Sequence, residues 1–203
     1  NIILHKAAKW TNDELTEAEI RIDYGDMKSK SGELDFVFVL DYSNSMLTPA
    51  EATDHDGDQY TYPRSFLTND IVYGVSDILL DGAPGEYDNR IAMVAFGSGS
   101  YPLWETDFMN SSAAVEETLF RNPLTLANGT NYGIGLQGAI DIINNREDKS
   151  RKVAVIFLSD GAPNSGYCTS QAKILREMGV KVYPIAIYED INTYLTNISY
   201  DGK

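Results

Sequence analysis

The chain has 203 residues, of which 43% are hydrophobic, and its 16 Lys plus Arg against 30 Asp plus Glu give a formal charge of −14. That composition supports one sizeable core and, at roughly 150 residues per domain, one domain with a small appendage. The acidic surface repels phosphate backbones and anionic bilayers, no apolar run approaches the about 20 residues of a membrane span, and one cysteine, Cys168, allows neither an internal disulfide nor a cysteine-based zinc cage.

No charged-then-apolar leader follows Asn1, and the absence of an initiating Met makes Asn1 and Lys203 read as the ends of a segment of a longer protein with flanking domains. Ile2 to Trp10 reads as a strand and Thr11-Asn12-Asp13 as a turn. Ala18, Ile20, Ile22 and Tyr24 then alternate with Glu19, Arg21 and Asp23, the period of a half-buried strand. With the polar stretch from Gly25 to Gly32, residues 1–34 are expected to form an N-terminal strand extension and linker, and residues 35–203 the main domain.

The pattern then changes. Asp35 to Leu40 is an apolar run of the kind expected for a strand covered on both faces, and Ile91–Phe96, Val153–Leu158 and Val182–Tyr188 repeat the type. Between them, Leu67, Ile71, Val75, Ile78 and Leu79 predict one helix face, and Leu136, Ala139, Ile140 and Ile143 a second. Ala172, Leu175 and Met178 predict a third, closed by Gly179. Tyr101–Trp104, after the Gly-Ser turn at 97–100, predicts a short antiparallel edge strand. Alternating buried strands and helices specify an α/β fold, a doubly wound, mainly parallel sheet with helices on both faces.

In such a sheet, ligands bind where strands end and loops lead into helices. Asp41, Ser43 and Ser45 follow the first buried strand, Ser159-Asp160-Gly161 follow a later one, and Asn128-Gly129-Thr130-Asn131 open the helix containing Leu136. Together these loops offer two carboxylates and several hydroxyls but no His or Cys, a donor set that selects hard cations such as Mg²⁺, Mn²⁺ or Ca²⁺. Two carboxylates neutralise such an ion formally and leave it able to accept one more anionic oxygen. An ion there also supplies the cationic element that an acidic partner needs on this surface.

These motifs, in this order and at these strand and helix ends, resemble the von Willebrand factor type A domain and its metal-ion-dependent adhesion site (MIDAS), over about Asp35 to Tyr188. The resemblance implies that Ser43, Ser45 and Thr130 offer hydroxyl oxygens to the metal and that Asp41 and Asp160 bind it directly or through water. The last oxygen then comes from an Asp or Glu carboxylate of a protein partner, for which host and matrix proteins are the candidates. Asn44 stands where many members have Gly, at a position that carries no ligand atom. Lys6-Ala-Ala-Lys9-Trp10 and the Ala18–Tyr24 strand look like the lead-in of such domains in Gram-positive surface proteins and pilus-tip adhesins. That likeness implies an extracellular, cell-surface location and makes Lys6 and Lys9 candidates for an isopeptide bond. The resemblance also implies a coupling of ligation to movement of loops and a late helix, which would here be the segment after Asp190. The function implied is metal-dependent adhesion; the alternative is a structural module of a surface assembly whose metal stabilises loops.

Other readings of the same residues are weaker. Gly133-Ile-Gly135-Leu-Gln-Gly138 matches a dinucleotide fingerprint but lacks the preceding buried strand, so these glycines are expected to allow close helix–sheet packing. Asp41 as a phosphoryl acceptor lacks a second Asp at position 43, and the histidines His5 and His55 accompany no G-x-S-x-G elbow, so no enzyme is expected. Asp54, Asp56 and Asp58 begin like a calcium loop, but Gln59 and Ser65 stand where an EF-hand needs Gly and Glu, which leaves a solvated acidic loop near the metal face. Tyr42, Tyr132 and Tyr167 flank the metal loops as a candidate contact rim.

Overall fold

The computed structural model describes residues 4–10, 18–24, 34–53, 59–80, 88–122, 127–164, 168–187 and 193–199. The chain falls into two compact units, Asn1–Gly32 and Glu33–Lys203. The first contains β1 (Leu4–Trp10) and β2 (Ala18–Tyr24), an antiparallel pair in register from Leu4 opposite Tyr24 to Trp10 opposite Ala18. The side chains of Lys6 and Lys9 lie outside the described residues, as do Asp54, Asp56, Asp58 and Tyr167.

The second unit is built on β3 (Leu34–Asp41). A short 3-10 turn (Asn44–Leu47) and an antiparallel hairpin, β4 (Pro49–Thr53) with β5 (Gln59–Pro63), lead directly into α1 (Arg64–Leu80). Then come β6 (Arg90–Phe96), β7 (Trp104–Glu105), α2 (Ser112–Arg121), α3 (Tyr132–Asn145), β8 (Lys152–Ser159), α4 (Thr169–Glu177), β9 (Lys181–Ala186) and α5 (Thr193–Ile198). The sheet order is β7-β6-β3-β8-β9. β6, β3, β8 and β9 are parallel and β7 is the antiparallel edge, so the expected α/β architecture is the observed one. The edge strand lies at 104–105 rather than 101–104, because Leu103 already bonds back to the Ala95 carbonyl in the turn.

Two apolar clusters cover the two faces. Val37, Val39, Val94, Phe96, Val155 and Phe157 point to the side of α3, α4 and α5. Phe38, Leu40, Ile91, Met93 and Leu158 point to the side of α1 and α2. This is the doubly buried pattern that the apolar runs predict. Leu136, Ala139, Ile140 and Ile143 of α3 are all buried, as are Ala172 and Leu175 of α4, whereas Met178 at the end of that helix is exposed. Gly179 ends α4 with a φ of 74°, the left-handed region that favours glycine. α3 lies close to the sheet because of its glycines. A Cβ on Gly135 would meet Phe96 Cδ1 and Val39 Cγ1, each at 2.7 Å, and one on Gly138 would meet Val94 Cγ2 at 2.6 Å.

α1 departs from the expected face. Its buried residues are Arg64, Ser65, Thr68, Val72 and Ser76, whereas Ile71 and Ile78 are exposed. Small hydroxyl residues can face the sheet here because two of them bond to their own helix: Thr68 Oγ1 donates to the Arg64 carbonyl (3.0 Å) and Ser76 Oγ to that of Tyr73 (2.7 Å). Val75 and Leu79 still pack on the core from the flank.

The entry of β3 carries a charge cluster. Asp35 is fully buried and accepts from Arg90 Nε and Nη2 (both 2.9 Å), Arg151 Nε (2.7 Å) and Arg146 Nη1 (3.3 Å). Arg151 also reaches the Asp88 carboxylate at 3.2 Å, and the Arg90 guanidinium lies over the Phe108 ring at 5.0 Å.

Cys168 precedes α4 and lines a cavity of about 570 Å³ with Tyr101, Pro102, Asn131, Ile134 and Gln137. Burial pushes its thiol up to about 12, so almost no thiolate, the reactive form, exists at pH 8. The expected result is negligible alkylation by iodoacetamide at pH 8 under native conditions and full alkylation in urea, read by mass spectrometry. Equal rates in both would contradict the buried placement.

Candidate metal centre

Parallel pairing brings the ends of β3 and β8 side by side, so residues far apart in sequence meet at one edge of the sheet. Asp41 closes β3 and Asp160 follows β8, and both are buried. Asp41 Oδ1 accepts the Ser43 backbone N–H at 2.8 Å, which folds the loop back over the strand end. Its Oδ2 accepts the Ser159 hydroxyl at 2.6 Å. Ser43 Oγ lies 2.9 Å from Ser45 Oγ, which donates to Asp160 Oδ1 at 2.8 Å. Asp41, Ser43, Ser45 and Asp160 thus form one hydrogen-bonded group.

Thr130 belongs to the neighbouring loop. Its N–H donates to Asn164 Oδ1 and its carbonyl accepts the Asn164 N–H, both at 2.9 Å, which ties it to the loop after β8. The same loop is fastened to β3 and β6: Asn44 N–H donates to the Ala127 carbonyl (3.0 Å), Ala127 N–H to that of Tyr42 (3.1 Å), and Asn131 N–H to that of Gly97 (2.9 Å). The side chains of Asn44 and Asn128 are also hydrogen-bonded to each other. Gly129 makes the turn possible. Its φ is 107°, and a Cβ there would meet Asn164 Oδ1 at 2.9 Å.

Two of the three tyrosines expected as a contact rim, Tyr42 and Tyr132, are structural supports instead. Tyr42 and Tyr132 are buried. Tyr42 donates to Asn69 Oδ1 at 3.1 Å and meets Trp104 edge to face. The Tyr132 hydroxyl lies 3.1 Å from Ser159 Oγ and hydrogen-bonds the Gly161 carbonyl, behind Asp41. A phenol with an apolar body and one polar tip satisfies buried loop groups without opening the core.

Burial drives the electrostatics. It pushes the Asp41 carboxyl up to about 6, against the hydrogen bonds from Ser159 and Ser43, and the nearby Asp160 charge adds to the rise. Among the described residues no three of His, Cys, Asp and Glu converge. An ion at this edge would therefore rely on hydroxyls and water beside the two carboxylates. That all-oxygen set suits a hard divalent cation.

One participant has no counterpart in the sequence reading. Arg64, the first residue of α1, is buried and places Nη1 2.8 Å from Asp160 Oδ2. It is the sole Lys or Arg between Lys30 and Arg90. A lone cation in so acidic a stretch, at the start of a helix, was the available signal.

A family model for the von Willebrand factor type A domain matches residues 35–203. The mouse protein named sushi, von Willebrand factor type A, EGF and pentraxin domain-containing protein 1 is 25% identical over 169 residues, covering 80% of this chain and 4% of that protein. The chain thus spans a small fraction of this curated relative. Among solved structures, proximal thread matrix protein 1 from the mussel byssus, with a zinc-occupied MIDAS motif, superposes with a TM-score of 0.63 at 21% identity, covering 84% of this chain and 40% of that one. An aerotolerance-related membrane protein from Bacteroides fragilis superposes with a TM-score of 0.56 at 17% identity, covering 77% and 68%.

Proposed function

The chain belongs to the von Willebrand factor type A family, and from that premise we propose that it is a metal-dependent protein-binding domain of a cell-surface protein, and not an enzyme. Asp41, Ser43, Ser45, Thr130 and Asp160 would hold a divalent cation, Mg²⁺ or else Mn²⁺ or Ca²⁺. The bound ion would supply an electrophilic centre for an Asp or Glu carboxylate of the partner. Residues 35–203 would be the binding domain and residues 1–34 its N-terminal extension. The reading extends to an extracellular site of action, on a bacterial surface or pilus of the Gram-positive type. The observation that carries it is the hydrogen-bonded group of two buried carboxylates and two serines at one strand edge, with Thr130 held in the adjoining loop.

In this reading the chain's own residues do three things. Ser43 N–H and Ser159 hold both oxygens of Asp41 in fixed directions. Ser45 does the same for one oxygen of Asp160. The Asn164 clasp fixes Thr130. Such preorganisation lowers the ordering cost of binding.

Calorimetric titration of chelator-treated protein with Mg²⁺, Mn²⁺ and Ca²⁺ tests the proposal. One-site binding is expected in the wild type and none in Asp160→Ala. Binding unchanged in the variant, or absent from the wild type, would overturn it. The alternative of a loop-stabilising ion in a surface assembly predicts the same titration but no metal dependence of partner binding.

A further inference from the structure

Every carboxylate oxygen of the candidate site has a partner within the chain. Three partners are neutral: the Ser43 N–H, the Ser159 hydroxyl and the Ser45 hydroxyl. The fourth is a charge, the Arg64 guanidinium on Asp160 Oδ2 at 2.8 Å. The side chains of this pair are 10% and 1% exposed, so solvent screens the interaction little.

The position of Arg64 is also fixed from its own side. The hairpin of β4 and β5 returns the chain to the metal edge, with Pro49 opposite Pro63 at its base. Arg64 follows at once, and its backbone N–H donates to the Thr48 carbonyl at 3.1 Å. Thr48 in turn donates its N–H to the Ser45 carbonyl at 2.8 Å. The serine loop and the arginine are therefore joined by a short run of backbone bonds, and Thr68 Oγ1 holds the Arg64 carbonyl from the helix side.

Resting on the metal-binding reading above, we propose that Arg64 is a built-in counter-charge that competes with the divalent cation for Asp160 and sets the affinity and net charge of the loaded site. Two carboxylates and a divalent ion alone sum to zero. With Arg64 in place the same site keeps one positive charge. Arg64 therefore weakens metal binding by like-charge repulsion and strengthens the demand for an anionic oxygen from the partner. It is a positioning and specificity residue, acting through Asp160 rather than touching the partner.

The test is titration of chelator-treated wild type, Arg64→Gln and Arg64→Lys with Mg²⁺ and Mn²⁺, with near-UV circular dichroism confirming the fold. Arg64→Gln keeps a donor for Asp160 but removes the charge; Arg64→Lys keeps the charge. The expected result is metal binding about tenfold tighter or more in Arg64→Gln, and wild-type affinity within about threefold in Arg64→Lys. A merely structural arginine predicts the opposite, weaker binding in both. Arg64→Met takes the place of Arg64→Gln if that variant does not fold. Equal or weaker metal binding in a folded charge-removed variant, beside a wild type that binds, would overturn the role of Arg64 and leave the metal-binding reading standing. No binding in any of them would overturn both. Binding in the charge-removed variant alone, with none in the wild type, would overturn the metal-binding reading of the native chain and with it the inference that rests on it.

Discussion

Replacing Asp35 by Asn is expected to destabilise the fold by about 3–5 kcal/mol, the range for removing one partner from a buried ion pair, and to lower the melting temperature by roughly 6–20 °C. The reason lies in the count of charges at the entry of β3. Arg90, Arg146 and Arg151 all converge on this carboxylate, with side-chain exposures of 24%, 9% and 4% against 0% for Asp35. An amide leaves Arg146 and Arg151 without their shared counter-charge in a place water hardly reaches. Arg90 suffers less because it is more exposed and lies over Phe108. Thermal denaturation followed by circular dichroism measures the effect. Arg121→Ala is the matched control, since its pairing with Glu117 within α2 is exposed at both ends and is worth at most about 1 kcal/mol. A loss below about 1 kcal/mol in Asp35→Asn would mean that the three arginines find other partners.

The second large effect concerns the metal edge. Mg²⁺ at a hundred times its dissociation constant is expected to stabilise the chelator-treated protein by about 2.7 kcal/mol, or roughly 5–10 °C in melting temperature. In Asp41→Asn that gain should vanish while the metal-free fold stays intact. The substitution is chosen for its geometry. An asparagine oxygen can still accept the Ser43 N–H, and its amide can donate to Ser159 Oγ, so both bonds of Asp41 survive in form. Burial disfavours the Asp41 charge and pushes its carboxyl up to about 6, so a neutral side chain is not expected to harm the metal-free protein. A Mg²⁺-dependent shift that persists in Asp41→Asn would remove Asp41 from the ligand set.

The elements that were legible in the sequence share one property: their burial is written locally. β3, β6, β8 and β9 are apolar on both faces, and α3 shows a regular buried stripe, so a short window identifies each. The others depend on distant partners. α1 turns Ser65, Thr68 and Ser76 toward the sheet, against the rule that apolar residues mark the inner face. α2 was not anticipated because only Ser112, Val115 and Leu119 are buried while Phe120 is exposed. The β4–β5 hairpin leaves no mark in the sequence because β5 is largely exposed, so no alternation records a buried side; its Tyr60 and Tyr62 stack on one another at 5.8 Å. At the metal edge, the serines and aspartates lie at strand ends and could be found by position. Arg64 does not follow a buried strand, and only its isolation as a cation in an acidic stretch marks it.

The strand order has a consequence for how the protein is made. β3 is the centre of the five-stranded sheet, flanked by β6 on one side and β8 on the other, yet it emerges from the ribosome before both. Asp35 must wait for Arg151, 116 residues later, which at 5–20 residues per second is roughly 6–23 s of synthesis. Through that interval the apolar central strand of the sheet has at least one open edge. Long-range parallel pairing is intrinsically slow, so the nascent chain passes through a stage in which β3, paired at most with β6, is exposed to strand addition by other chains. Aggregation during expression should therefore depend more on events before residue 159 is synthesised than on the stability of the finished fold.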